Sequence, residues 1–241
     1  MLGEVARAWH DQGVRVHRNF GFVDLSGFTA LTESQGDERA VAVLSSFRAL
    51  VREICSRRGV RVAKWLGDGA MLVGVEGTPL LAATLEMQRA TTAVRLPAPL
   101  RCGVSSGEVI LHEGDDYIGH AVNLAARLCD LAPGQVVFAT ESILGDLPKW
   151  GTVLSTEETA IRGLEQSLRI SRIGLRPLDG DVVPDPICGI PLTAEVAEEA
   201  ALDGLGRELW FCSDSCRDTW ERRPRPVLDT GGSPRMPLIG S

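Results

Sequence analysis

Residues 60–75 read VRVAKWLGDGAMLVGV. The first seven residues alternate like a strand, GDG turns the chain, and AMLVGV returns as a second strand. An Asp-Gly turn between two apolar strands is the strongest short-range hairpin signal, because such turns need residues that tolerate positive φ. Upstream, Phe20 to Leu25 (FGFVDL) is a short apolar run holding one acid, and it predicts a buried strand. SGFT follows as a turn. From Thr29 onward, Leu31, Val41, Leu44, Phe47, Val51 and Ile54 fall largely on one helical face until Gly59 stops the helix.

Downstream, Thr78 and Pro79 read as the N-cap and first-turn proline of a helix running to about Arg95. Arg101 to Ser105 and Glu108 to His112 predict another strand pair. Residues 119–131 predict a helix ended by Pro133-Gly134, residues 135–140 a strand, and residues 168–173 a closing strand. The order β-α-β-β-α-β, then a further helix and strand, predicts an α+β chain: a ferredoxin-like antiparallel sheet with helices on one face.

The chain has 241 residues, which suits one main domain plus an appendage. Hydrophobic residues at 44% and charged ones at 24% exclude a wholly disordered, collagen-like or coiled-coil chain. The net charge of -7 argues against sequence-independent binding to nucleic acid, which needs a basic face. No run of 18 apolar residues offers a membrane span, and the N-terminus lacks the apolar core of a signal peptide. The expected compartment is the cytosol, where six cysteines stay reduced. The expected organisation is an N-terminal segment (1–18), the main domain (19–174), a linker rich in Pro, Gly and Asp (175–184), a small cysteine-containing module (185–224) and a disordered tail (225–241).

Two acids interrupt the apolar runs. Asp24, taken alone, reads as a cap of the following turn, and Asp68 as the residue that a hairpin tip wants anyway. Together they differ. If the first strand lies beside the strand entering the hairpin, both carboxylates meet at one end of the sheet. Two carboxylates with few other ligands suit Mg²⁺, phosphate oxygens and water completing its shell. The turn between strand and helix, Ser26, Gly27, Phe28 and Thr29, would offer backbone N–H groups to a phosphate. Farther on, Asn123 and Arg127 in GHAVNLAARL share one helical face. That face is either merely solvated or a hydrogen-bond donor beside a fixed cation that braces charge on phosphate. Asp116 precedes them in a loop expected to be exposed.

The motifs FVDLSGFT, KWLGDGAML and DDYIGHAVNLAARL, in this order and spacing, resemble class III nucleotidyl cyclases, the adenylate and guanylate cyclase family. The resemblance runs from about Asn19 to Ile173. It implies that Asp24 and Asp68 hold two Mg²⁺ or Mn²⁺ ions and that Lys64 and Asp116 read the purine. It further implies that Asn123 and Arg127 support ribose and phosphate in the transition state. Arg162 stands where the family usually has a lysine on the triphosphate, and the Pro usual after that motif is absent. Guanylate cyclases of the family typically carry an acid at the lysine position and a small residue at the aspartate position. Lys64 with Asp116 therefore implies ATP as substrate and cyclic AMP with pyrophosphate as products. A guanylate cyclase, and a non-catalytic nucleotide-binding sensor that kept the fold, are the alternatives. The family's site straddles a head-to-tail dimer, which implies a homodimer here, with metal acids from one subunit and the other residues from its partner.

The segment 185–224, with DPICGI and GRELWFCSDSC, resembles a YHS-type module, a small cysteine-containing unit often linked to heavy metals. Trp210 replaces its usual Tyr. Cys188, Cys212 and Cys216 offer three soft ligands for Zn²⁺ or another thiophilic ion. The fourth position would fall to water, an acid such as Asp214, or another molecule. Equally, the cysteines pack with Trp210, Phe211 and Trp220 as a tiny core. The module is a candidate for metal or protein input.

Overall fold

The computed structural model describes residues 13–112, 116–161 and 167–223 of the chain. Strand β1 (Val14–Leu25) is an inner strand of the sheet, and the hairpin of β2 (Arg61–Leu66) and β3 (Gly69–Gly74) forms at the expected place. The strand beside β1 is β3, which leaves the hairpin, and not β2, which enters it. The helical stretch after Thr29 is two helices, α1 (Phe28–Gln35) and α2 (Asp37–Arg58). They are parted by Gly36, whose φ of 82° and ψ of 166° no helix contains. Gly59 ends α2 in the left-handed conformation, at φ 68°. Helix α3 (Gly77–Ala93) starts after Glu76, so Thr78 and Pro79 lie inside its first turn.

Strand β4 (Leu100–His112) is continuous where two strands were expected. Ser106 and Gly107 stay in register with Asn19 and Arg18 of β1, so the Ser-Gly pair is extended sheet and not a turn. The short β5 (Asp116–Ile118) pairs with the end of β4, and α4 (His120–Leu131) follows. Beyond it come β6 (Val137–Thr140), a 3₁₀ turn (Glu141–Asp146), β7 (Gly151–Thr159) and β8 (Leu168–Leu175). The strand order is β2-β3-β1-β4-β6-β8-β7, antiparallel except between β4 and β6.

Period-2 alternation assigns the two faces of this sheet. Val23, Leu25, Leu72, Leu100 and Val104 share a buried cluster with Phe47 and Val51 of α2 and Leu80 and Leu81 of α3. Phe20, Met71, Val73 and Val109 form another with Ala121 and Ala125 of α4. Helices therefore cover both faces and not one. Gly103 is what lets α4 lie directly on β4: a Cβ there would fall 2.2 Å from the Ala125 carbonyl oxygen and the Cys129 nitrogen.

The C-terminal segment forms two small ladders, β9 (Val183–Pro184) with β10 (Pro191–Leu192) and β11 (Glu199–Leu202) with β12 (Glu208–Phe211), then helix α5 (Asp214–Glu221). Its buried Ile190, Leu192, Val196 and Phe211 belong to the same apolar cluster as α2 and α3. The Trp150 indole N–H donates to the Cys212 carbonyl at 3.0 Å, joining the two parts through a buried hydrogen bond. Among the described residues no helix is long and apolar enough to cross a membrane. The expected tail, 225–241, lies outside the described residues.

Candidate functional site

Asp24 points to the α4 face of the sheet, into a cleft of about 460 Å³ that it shares with Asp68 and Arg101. Along the ladder it stands between Gly69 of β3 and Arg101 of β4. The Arg101 Nε and Nη2 lie 2.8 and 2.6 Å from the same Asp24 oxygen. Burial, and then the negative charge of Asp24, raise the Asp68 carboxyl above its ordinary value. The two acids therefore do meet, and their repulsion marks a site with unmatched negative charge. Gly69 matters to this more than to the turn. Gly67 takes the positive φ, at 62°. A Cβ on Gly69 would come 2.8 Å from the Val23 carbonyl oxygen and 3.0 Å from an Asp24 carboxylate oxygen.

The turn before α1 opens into this cleft through Gly27, Phe28 and Thr29, with Gly27 left-handed at φ 78°. Ser26 does not share in this, since its N–H is bound to the Pro99 carbonyl at 2.8 Å. Arg101 escaped the sequence reading. Its signal was the cross-strand register with Asp24, which requires knowing that β1 and β4 are neighbours.

Lys64 of β2 and Asp116 of β5 form an exposed ion pair. The hydrogen bond from Lys64, and then its charge, hold the Asp116 carboxyl below the usual carboxylate range. Asp116 opens a strand, paired with His112, where a loop was expected. Asn123 and Arg127 are exposed on α4. Neither they nor Lys64 and Asp116 line the Asp24 cleft. One chain thus carries two separate polar constellations. Arg162 lies outside the described residues.

Cys188, Cys212 and Cys216 come together. The Cys212 Sγ lies 3.4 Å from that of Cys188 and 3.6 Å from that of Cys216. The acid beside them is Asp185 and not Asp214: one Asp185 oxygen and the three sulfurs lie within 4.8 Å of one another. Asp185 accepts from the backbone N–H groups of Ile187, Cys188 and Cys212 at 2.7, 3.1 and 2.7 Å, so it also fixes the loop. The neighbouring sulfurs of Cys188 and Cys212, with help from Arg58, hold the Cys216 thiol well below its ordinary value. Burial pushes the Cys55 and Cys129 thiols up to about 12, as befits small core residues.

Charged residues of the main domain surround the sulfurs. Arg58 Nη2 lies 3.2 Å from the Cys212 Sγ, and Arg57 Nη1 lies 3.4 Å from the Cys216 Sγ. Both arginines also bond Glu86 of α3, Arg58 through Nε at 2.6 Å. Arg58 is 5% exposed and Glu86 3%. In the sequence all three are ordinary polar positions on amphipathic helices, and only tertiary packing sets them apart.

No protein-family model matches the chain. It is 35% identical over 141 residues to the uncharacterized protein Rv2212 of Mycobacterium tuberculosis, covering 58% of this chain but only 37% of that protein. It is 31% identical over 172 residues to the pH-sensitive adenylate cyclase MT1302 of M. tuberculosis, covering 68% and 43%. It is 33% identical over 207 residues to the uncharacterized protein Rv1359 of M. tuberculosis, covering 84% of this chain and 68% of that protein. Among solved structures, the adenylyl cyclase CyaB from P. aeruginosa superposes with a TM-score of 0.60 at 20% identity, over 70% of this chain and 97% of that one. The guanylyl cyclase Cya2 superposes with a TM-score of 0.60 at 21% identity, over 68% and 95%. The chain belongs to one family with Rv1359, and its main domain has the fold of the class III adenylate and guanylate cyclase catalytic domain.

Proposed function

We propose that the chain is an adenylate cyclase, converting ATP to 3′,5′-cyclic AMP and pyrophosphate at sites shared between two copies of itself, in the cytosol. The observation that carries this reading is the Lys64–Asp116 pair, held side by side at the edge of the sheet. A lysine donor beside a carboxylate acceptor complements N1 and the 6-amino group of adenine. Guanine presents the reverse pattern along that edge. The likeness to the pH-sensitive adenylate cyclase MT1302 supports the same choice.

The Asp24 cleft fits divalent cations, because two carboxylates converge there and the Asp68 carboxyl is raised by burial and then by its neighbour's charge. Mg²⁺ or Mn²⁺ held by Asp24 and Asp68 would lower the pKa of the ribose 3′-hydroxyl and offset phosphate charge. The residues of the chain supply position and charge. Lys64 and Asp116 orient the purine, and the N–H groups at 27–29 face the phosphates. Asn123 fixes the ribose, and Arg127 braces charge that builds on the α-phosphate. The 3′-oxygen bonds to the α-phosphorus, its proton passes to solvent water, and the bond from that phosphorus to the pyrophosphate oxygen breaks. The reaction is intramolecular, so positioning supplies much of the rate. Lys64, Asp116, Asn123 and Arg127 do not line the Asp24 cleft, which supports a site completed by a second copy.

Pure protein is incubated with ATP or GTP and Mg²⁺ or Mn²⁺, and the product identified by chromatography. Cyclic AMP from ATP supports the reading. Cyclic GMP in its place makes the chain a guanylate cyclase. Binding of nucleotide without turnover makes it a sensor.

A further inference from the structure

Helix α2 touches two distant sites. At its C-terminal end Arg57 and Arg58 reach the cysteine sulfurs. Farther back, Arg48 and Arg52 stand over the Trp65 ring at 5.2 and 5.0 Å, and Arg48 Nη2 donates to the Gly67 carbonyl at 2.9 Å. Trp65 and Gly67 belong to the hairpin that carries Lys64 and Asp68. Arg48 and Arg58 are ten residues apart, about 15 Å along a helix. Between them the helix packs into the core through Val51, Ile54 and Cys55.

We propose that Cys188, Cys212 and Cys216 bind one thiophilic cation, and that α2 transmits the occupancy of this centre to the β2–β3 hairpin. Three sulfurs already converge, and a cation of the zinc or cuprous class prefers such a soft set. Asp185 stands by as a fourth, oxygen ligand for zinc. The charged donors beside the sulfurs are not from the module: they are Arg57 and Arg58 of the main domain, tied to Glu86. Their N–H groups lie 3.4 and 3.2 Å from the Cys216 and Cys212 sulfurs. They therefore form the outer shell of the centre and feel its charge.

A ligand shifts an equilibrium only through contacts that differ between two states. Here the differing contacts are the Arg57 and Arg58 bonds to sulfur. Filling the centre draws electron density from the sulfurs onto the cation, loosens those bonds and shifts the guanidiniums towards Glu86. The last turn of α2 adjusts, and the arginine clamps on Trp65 and Gly67 carry the change into the hairpin. The consequence for turnover rests on the cyclase reading. Cation binding and the hairpin response do not.

The reduced, metal-free full chain is titrated with Zn²⁺ and, separately, with Cu⁺ under anaerobic conditions. Bound metal is counted and amide hydrogen exchange is followed at residues 60–75. One equivalent of at least one ion should bind and slow exchange in the hairpin by about 3-fold or more, with β6 unchanged. Cys188→Ser, at a half-buried position, should lose the binding. Arg48→Gln should still bind the ion but lose the hairpin response. Failure of both ions to bind, equal binding by Cys188→Ser, an unaltered hairpin in the loaded chain, or an undiminished response in Arg48→Gln would each overturn the proposal. All of these readouts are taken without nucleotide, so an absence of cyclase activity leaves them standing.

Discussion

Arg101 donates through Nε and Nη2 to a single oxygen of Asp24, at 2.8 and 2.6 Å, and so occupies one side of the carboxylate while Asp68 faces it from the hairpin. One cation, Arg101, and three acids, Asp24, Asp68 and Asp130, line the cleft. The Asp68 carboxyl, raised by burial and by Asp24, records the shortfall.

A stability prediction follows from that sign. The folded state holds a proton on Asp68 more tightly than the unfolded chain does, so ionised Asp68 lowers stability once the pH exceeds its folded value. Below the ordinary carboxylate range that penalty disappears. Asp68→Asn should therefore melt up to about 2 °C above the parent chain at pH 7 in chelator, and the gap should close as the pH falls. Mg²⁺ should raise the melting temperature of the parent chain and not of the variant. A variant that melts lower at pH 7 would show that the two acids do not repel.

The purine pair makes a second prediction, on specificity. Lys64→Glu with Asp116→Cys replaces the donor by an acceptor and removes the acid. The double variant should lose about 10-fold or more in kcat/KM for ATP, since N1 and the 6-amino group of the bound purine lose their partners. Its GTP turnover should rise relative to ATP. Steady-state rates with both nucleotides test this, and unchanged ATP kinetics would remove Lys64 and Asp116 from the purine site.

Glu86 makes a third. It is 3% exposed and balances Arg57 and the 5% exposed Arg58. Glu86→Ala would leave two guanidiniums, one of them deeply buried, without their carboxylate. Removing one partner of a buried ion pair costs about 3–5 kcal/mol, and chemical denaturation of the full chain should show a loss of that size. Arg48→Gln, at a half-buried position in the middle of α2, should cost far less.

What the sequence made legible was whatever depends on local pattern. The hairpin at 60–75, the strand at 20–25, the helix carrying Asn123 and Arg127 and the stop at Gly59 all rest on turn chemistry or periodicity, and all are present. Pairing was less legible. Nothing local told that β1 adjoins β3 and not β2, or that Ser106-Gly107 stays extended, because neighbouring strands decide both. Strand β7, TVLSTEET after its glycine, is an exposed edge strand with a polar pattern, so periodicity does not announce it. Asp185 and the Arg57–Glu86–Arg58 group were hidden for the same reason: residues 27 to 159 positions apart meet only through packing.

The shared core makes a fourth prediction. Ending the chain after Leu175 removes Ile190, Leu192, Val196 and Phe211, each buried against the main domain, and uncovers Trp150. Each such side chain is worth about 1.5–3 kcal/mol when fully buried. The truncated chain should melt about 10 °C or more below the full chain, or be recovered insoluble. Equal melting temperatures would mean that the C-terminal segment adds nothing to the core that it touches.

The separation of the two constellations within one chain makes the last. Asp24 and Asp68 lie in one cleft, while Lys64, Asp116, Asn123 and Arg127 lie outside it, the last two exposed on α4. If two copies pair head to tail, the acids of one face the α4 residues of the other, and a two-fold dimer holds two such sites. Asp24→Ala and Asn123→Ala should then each be inactive alone, with rates down at least about 100-fold, the scale of a lost electrostatic contact in a transition state. Mixed, they should recover. A heterodimer gathers both lesions into one site and rebuilds the other from undamaged halves. Random exchange makes about half of all dimers mixed, each with one working site of two, so activity should approach roughly a quarter of the parental value. Subunit exchange is verified by mass-tagging one variant. Exchange without recovery would place all six residues in one subunit, and the shared site would be wrong even if the chain makes cyclic AMP.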